Sequence, residues 1–194
     1  MTDLINEMEE YASTNNIPIM QRDGIDFLEE YIRKNNIKNI LEIGSAIGYS
    51  SIRMALVDED IKVTTIERDE NRYREAVNNI EKSKLNDRIN IIFGDALEED
   101  INGKFDLIFI DAAKAQNIKF FEKYKNNLEK NGTIITDNMY FHGLVFKDNS
   151  EINSRDLRQL IRKIKNYHEF LKDNKEYTTT FIDLGDGIAI TKKN

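Results

Sequence analysis

The chain has 194 residues, room for one well-cored domain and short for two, so any site is expected within a single sheet or at a contact between copies. It contains no cysteine, which removes disulfides, thiolate metal sites and cysteine nucleophiles together, suits a reducing cytoplasm, and restricts any metal to oxygen or imidazole ligands. A net charge of −7 opposes indiscriminate attraction to nucleic acid, the acidic opening from Met1 to Tyr11 does not read as a secretory signal, and no run approaches the roughly 20 apolar residues of a membrane span, so no membrane partner is expected.

Leu4, Ile5, Met8, Tyr11 and Ala12 recur at helical spacing, as do Phe27, Leu28, Tyr31 and Ile32, which predicts two amphipathic helices at the start. Between them Ile17-Pro18-Ile19-Met20 holds the only proline and reads as a fixed bend. Five short apolar runs then predict strands at Asn39–Ile43, Lys62–Glu67, Ile89–Phe93, Phe105–Ile110 and Gly132–Thr136. Helical patterns around Ile52–Leu56, Asn71–Ile80 and Ile118–Leu128 alternate with them, as in a parallel sheet with helices on both faces. After a helix near Ser154–Leu171, the runs Tyr177–Leu184 and Ile188–Thr191 are joined by Gly185-Asp186-Gly187, a hairpin signature. A mostly parallel, Rossmann-like α/β sheet finished by an antiparallel hairpin is similar to the plan of class I methyltransferases.

Ligands of such sheets gather at the C-terminal ends of the strands, and the residues there carry the chemistry. Leu41-Glu42-Ile43-Gly44-Ser45-Ala46-Ile47-Gly48-Tyr49-Ser50 joins the first strand to its helix. Gly44 and Gly48 let backbone pass close to a ligand, and the helix start offers free N–H groups to which Ser50 adds a hydroxyl. A dinucleotide fingerprint needs glycine where Ala46 stands, which disfavours a diphosphate and a nicotinamide dehydrogenase. Glu67 ends the second strand about 20 residues past the glycine turn, the place for a carboxylate that accepts two ribose hydroxyls. Asp95 and Ala96 follow the third strand, where a carboxylate and a backbone N–H can read an adenine edge.

Asp111 ends the fourth strand, and Asp137 and Asn138 end the fifth. As helix caps and a turn residue they would be ordinary; as neighbours at one rim they form a hard-oxygen donor set suited to Mg²⁺ or a similar divalent cation. Two carboxylates so placed repel unless a cation lies between them. Lys114 is either a solvated surface lysine or an amine placed to deprotonate a hydroxyl or to stabilise its anion.

The glycine-turn segment, with Phe109-Ile110-Asp111-Ala112-Ala113-Lys114 and Thr136-Asp137-Asn138, resembles the cation-dependent O-methyltransferases related to catechol and caffeoyl-CoA methyltransferases. Ile17-Pro18-Ile19-Met20, Thr65-Ile66-Glu67-Arg68, Glu75–Ile80 and Gly185–Ile190 look most like the branch of that family that methylates 5-hydroxyuridine in tRNA. The resemblance covers nearly the whole chain and implies a single domain over residues 1–194, with residues 1–36 as a helical cap. It implies that Met20, Ser50, Glu67, Asp95, Ala96 and Asp111 contact S-adenosylmethionine (SAM), with Gly44 in the same turn, and that Asp111, Asp137 and Asn138 hold the metal. It also implies a homodimer. Lys114 and Asp111 are then the catalytic pair, and His142, where relatives often carry lysine, is a rim residue.

Arg155, Arg158, Arg162 and Lys165 fall on one helix face opposite Leu157, Leu160, Ile161 and Ile164. That stripe is either an ordinary solvated face or a seat for the phosphates of a tRNA anticodon stem-loop, with Tyr140 or Phe141 stacking on an unpaired base. A catechol-like small molecule offers the same vicinal pair of oxygens as 5-hydroxyuracil and is the alternative acceptor. A non-catalytic module that binds SAM or RNA is a further reading, and the intact acidic set with Lys114 speaks against it.

Overall fold

A computed structural model describes residues 1–194 with the exception of the Asn149 side chain. Helices α1 (Thr2–Thr14) and α2 (Arg22–Lys34) open the chain, and the second buries Gly24, Ile25, Leu28 and Ile32 along one stripe. The alternating part runs β1 (Asn39–Ile43), α3 (Tyr49–Leu56), β2 (Lys62–Glu67), α4 (Glu70–Ser83), β3 (Ile89–Phe93), β4 (Phe105–Ile110), α5 (Asn117–Tyr124) and β5 (Leu128–Thr136). Helix α6 (Arg155–Lys172) leads into the hairpin β6 (Tyr177–Ile182) and β7 (Ile188–Lys193). Strand order is β3-β2-β1-β4-β5-β7-β6; the first five strands are parallel, and β7 runs antiparallel to both its neighbours.

The sheet separates two hydrophobic cores, and strand alternation assigns each side chain to one of them. Ile40, Leu107, Phe109 and Ile135 face the core built with α1, α2 and α3, while Leu41, Ile43, Ile108, Ile110 and Ile134 face the core built with α5 and α6. With both faces covered, the central strands read as unbroken apolar runs rather than alternating ones. A third, smaller cluster joins Ile161 and Ile164 of α6 to Val145 and Ile152 of the preceding segment.

The hairpin strands end at Ile182 and Lys193 rather than at Leu184 and Thr191, and the largest departure from the sequence expectation lies between α5 and β5. The pattern through Leu128 reads as helix because Phe121, Tyr124 and Leu128 keep helical spacing, yet α5 stops at Tyr124 and a tight turn at Lys125–Asn127 starts β5 at Leu128. Leu128 pairs with Phe105, and the register shifts before Leu107 pairs with Thr133, so a bulge carries the exposed residues 129–131 outward. Leu128 folds back over Gly132, where a Cβ would lie 2.8 Å from its Cδ1.

Where β1 leaves the sheet, Gly44 has φ +94° and lies so close to β4 that a Cβ would be 2.6 Å from the Asp111 carbonyl oxygen. This contact presses the Gly44–Gly48 turn against the end of the neighbouring strand. Gly44→Ala is expected to lower stability by about 2–3 kcal/mol, because it combines a left-handed backbone with a backbone clash; urea unfolding measures it, and a change under about 0.5 kcal/mol contradicts the contact.

Candidate functional site

The C-terminal ends of β1 to β5 surround a cavity of about 460 Å³. On its nucleotide side the Gly44–Gly48 turn is shaped from below. Glu42, fully buried in the middle of β1, accepts hydrogen bonds from the hydroxyls of Ser50 and Ser51, fixing the first turn of α3 to the strand. Burial pushes the Glu42 carboxyl up to about 7, against the lowering effect of those hydroxyls. Ser50 thus lines the cavity, but its hydroxyl, expected to face a ligand, is turned into the strand. The hydroxyl at the cavity wall without a partner is that of Ser45, a buried group that the sequence reading quoted in the turn and did not single out. An orphaned buried hydroxyl on a positive-φ glycine turn fits a bound polar ligand.

Glu67 ties the turn to β2, accepting the Ala46 N–H at 2.9 Å on one oxygen and the Asp69 N–H at 2.8 Å on the other. Each oxygen keeps a second lone pair, enough for the two hydroxyls of a ribose. Asp95 accepts the Leu97 N–H at 2.9 Å through Oδ1, leaving Oδ2 near Arg68. Met20, Gly44, Ala96, Asp111, Pro18 and Phe120 complete the lining, so every residue expected at the cofactor meets at this one cavity.

At the opposite wall, β4 and β5 are neighbours in register, and the backbone N–H groups of Asp111 and Asp137 bond to the strands beside them. The two carboxylates share the Asn138 side-chain amide, whose Nδ2 lies 3.3 Å from Asp111 Oδ1 and 2.9 Å from Asp137 Oδ2. Lys114 Nζ sits 2.5 Å from Asp111 Oδ1. Asp137 is buried, and among the described residues no lysine or arginine forms a salt bridge with it. Burial first, and the nearby Asp111 charge second, push its carboxyl up to about 7. Two anions and an amide that presents oxygen after a half-turn about its own axis fit a hard divalent cation, and the anionic strain at Asp137 is what such a cation relieves.

A smaller cavity of about 330 Å³ lies behind this rim, lined by Ile17, Gln21, Asp137, Asn138, His142 and Asp186 among others. Pro18, Ile19, Met20, Asn138 and His142 line both cavities and form the partition between them.

The segment after Asn138 corrects two expectations. Tyr140 is not free to stack on a base: its ring packs against Phe146 at 4.9 Å and covers Gly187, where a Cβ would come within 2.6 Å of it. Phe141 does line the cofactor cavity, while the exposed aromatic is Phe146, with 71% of its surface open, which the sequence reading missed. Nor is the basic stripe on α6 wholly available. Arg155 and Arg162 are exposed, but Arg158 donates to the Ile152 carbonyl at 2.5 Å and Lys165 to the Lys147 carbonyl at 3.3 Å, tying residues 147–152 to the helix.

A doubly wound sheet of order β3-β2-β1-β4-β5-β7-β6, with β7 antiparallel and a cavity at the C-terminal ends of the parallel strands, is the architecture of a class I methyltransferase. The O-methyltransferase family model matches residues 1–194, and the chain belongs to that family. A Staphylococcus aureus structure provisionally described as a caffeoyl-CoA O-methyltransferase is 46% identical, covers 98% of this chain and 92% of its own, and superposes with a TM-score of 0.93. An O-methyltransferase from Bacillus cereus, in complex with S-adenosylhomocysteine (SAH), is 27% identical with a TM-score of 0.83 and covers 99% and 91% of the two chains. Caffeoyl-CoA O-methyltransferase of Populus kitakamiensis is 28% identical over 95% of this chain and 82% of its own. The protein is accordingly a SAM-dependent O-methyltransferase of the caffeoyl-CoA and catechol type. No helix among the described residues is long and apolar enough to cross a membrane.

The raised Asp137 carboxyl has a pH signature. A carboxyl whose value is raised by folding adds stability below its unfolded value and loses that contribution as pH rises through the folded value. Cation-free protein is therefore expected to lose thermal stability between pH about 4 and about 7 and to level off above, with Asp137→Asn reducing the slope. Glu42 keeps the remainder. Melting curves across that range check it, and an unchanged slope in the variant contradicts the assignment to Asp137.

Proposed function

We propose that the protein transfers the methyl group of SAM to a hydroxyl oxygen held at a divalent cation, Mg²⁺ by the hardness of its donor set. We further propose 5-hydroxyuridine at the wobble position of tRNA, converted to 5-methoxyuridine, as the acceptor. The observation that carries the reading is the joining of Asp111, Asn138 and Lys114, at the wall of the larger cavity, to Asp137 at the wall of the smaller one through the shared Asn138 amide, with Asp137 buried and without a salt bridge to lysine or arginine among the described residues.

In this reading Asp111, Asp137 and Asn138 hold the cation, and Met20, Gly44, Ser50, Glu67, Asp95, Ala96 and Asp111 hold SAM. The cation, when bound, supplies a Lewis acid that lowers the pKa of an acceptor hydroxyl beside a second chelating oxygen. Lys114, paired with Asp111, takes the hydroxyl proton on Nζ, or neutralises the oxyanion while keeping its own. The oxygen attacks the sulfonium methyl; a C–O bond forms, the C–S bond breaks, and SAH leaves. Apolar groups at the wall, Phe120, Ile19 and Phe141, keep water away and restrict the acceptor to an approach in line.

Charge distribution supports the RNA acceptor. Residues 141–165 carry six basic side chains against three acidic in a chain of net charge −7, and this segment borders the cavity through Phe141 and His142 and presents Phe146 outward. Phosphates would meet Arg155, Arg162 and Lys163, and an unpaired base would meet Phe146. The same reading includes a homodimer working in the cytoplasm. A catechol-like small molecule is the second reading, favoured by the caffeoyl-CoA acceptor in the name of the Populus relative.

Labelled SAM with Mg²⁺ and tRNA containing 5-hydroxyuridine, followed by nucleoside mass spectrometry, is expected to give 5-methoxyuridine; label appearing on a catechol and none on the tRNA overturns the RNA reading. Asp137→Ala is expected to lower turnover by about 100-fold or more while SAH affinity, measured by calorimetry, stays within about threefold, because the residue serves the cation and not the nucleotide. Parallel loss of both contradicts that division of roles.

A further inference from the structure

The Gly185-Asp186-Gly187 turn does more than reverse the chain. Both glycines have positive φ, and together they lay Asp186 beneath the segment that follows Asn138. The Asp186 backbone carbonyl accepts the Tyr140 N–H at 2.8 Å, and its side-chain Oδ1 accepts the His142 N–H at 2.5 Å. These bonds hold an unusual run: Phe141, His142 and Gly143 have φ of +46°, +56° and +74°, a left-handed stretch that two non-glycine residues seldom enter unaided.

The second oxygen of Asp186 is the informative one. Asp186 is only 6% exposed, and its Oδ2 is buried without a hydrogen-bond partner among the described residues, which is costly for a carboxylate. The ring nitrogen Nδ1 of His142 lies 3.8 Å from it, on a side chain that is 69% exposed and has room to turn. His142 belongs to the partition between the two cavities, sharing the larger one with Lys114 and Asn138.

The geometry points to Asp186 as a positioning residue that fixes the tautomer of His142, drawing Nδ1–H onto its free oxygen and leaving Nε2 as a bare hydrogen-bond acceptor for the methyl acceptor. In a neutral imidazole, a ring nitrogen that donates to a carboxylate leaves the other as an acceptor. What donates to Nε2 rests on the proposed acceptor: 5-hydroxyuracil carries an imide N–H beside its chelating carbonyl, and a catechol has only its hydroxyls.

Nitrogen-15 chemical shifts of the imidazole rings, recorded where both are neutral, read the tautomers directly. The chain has two histidines, and His168 supplies an internal reference, because its Nε2 lies 2.7 Å from the Met139 carbonyl and must carry the proton. His142 is expected to show the opposite tautomer, protonated on Nδ1. In Asp186→Asn the amide oxygen still accepts the His142 backbone N–H while its NH₂ faces Nδ1, so the ring proton moves to Nε2 and an acceptor becomes a donor. KM for an anticodon stem-loop containing 5-hydroxyuridine is then expected to rise about tenfold, with kcat within about twofold and SAH affinity unchanged. His142→Ala, which leaves Asp186 and its turn in place, is expected to raise KM by a similar factor. His142 protonated on Nε2 in the unmodified protein, or an Asp186→Asn protein with tautomer and KM unaltered, overturns the assignment. Turnover of a catechol in place of the RNA would end the acceptor reading, and the ring shifts would still decide the Asp186–His142 pair.

Discussion

The arrangement hangs on β4 lying between β1 and β5. Register with β1 brings the end of β4 against the Gly44 turn, and register with β5 brings the same end beside Asp137. Asp111 therefore stands between the Gly44 turn and the Asp137–Asn138 pair, at the wall of the larger cavity. Shifting β5 by one residue would reverse the faces of its own side chains and carry Asp137 away from Asp111, and shifting β1 would carry the Gly44 turn off the end of β4.

Around that strand the structure concentrates anionic groups that ordinary folding would keep apart. Glu42 lies in the sheet, Asp111 and Asp137 at its edge and Asp186 in the hairpin, and the charges of Asp111 and Asp186 both raise the Asp137 carboxyl. Their tolerance comes from different sources: serine hydroxyls for Glu42, an ammonium for Asp111, backbone N–H groups for Glu67 and Asp186. Asp137 has only the Asn138 amide among side-chain donors in the described residues. Asp137 is thus an acid raised by burial and by two neighbouring carboxylates and met by one side-chain amide, which is what the proposed cation would relieve.

Much of this was legible in the sequence because strand ends in a parallel sheet announce themselves. An apolar run covered on both faces is easy to bound, and the polar residues at its C-terminal end fall at the cavity edge; Glu67, Asp95 and Asp111 line the larger cavity and Asp137 the smaller one. Interactions set by side-chain direction were less visible. Ser50 sits where expected, but nothing in its spacing says that its hydroxyl turns toward Glu42 rather than outward. Leu128 kept helical spacing by coincidence and went to a strand because the turn at Lys125–Asn127 came first. Tyr140 and Phe146 exchanged the roles that composition suggests, since Gly187 opens a slot that takes the tyrosine ring and leaves the phenylalanine outside.

The partition formed by Pro18, Ile19 and Met20 carries a consequence for how this enzyme can change. One short, proline-stiffened strip borders both chambers, so a substitution that widens one moves the boundary of the other. The two chambers cannot drift in shape independently there. Residues 144–152 differ: they pack on α6 through Val145 and Ile152 and, among the described residues, line neither chamber, so change there leaves the strip in place.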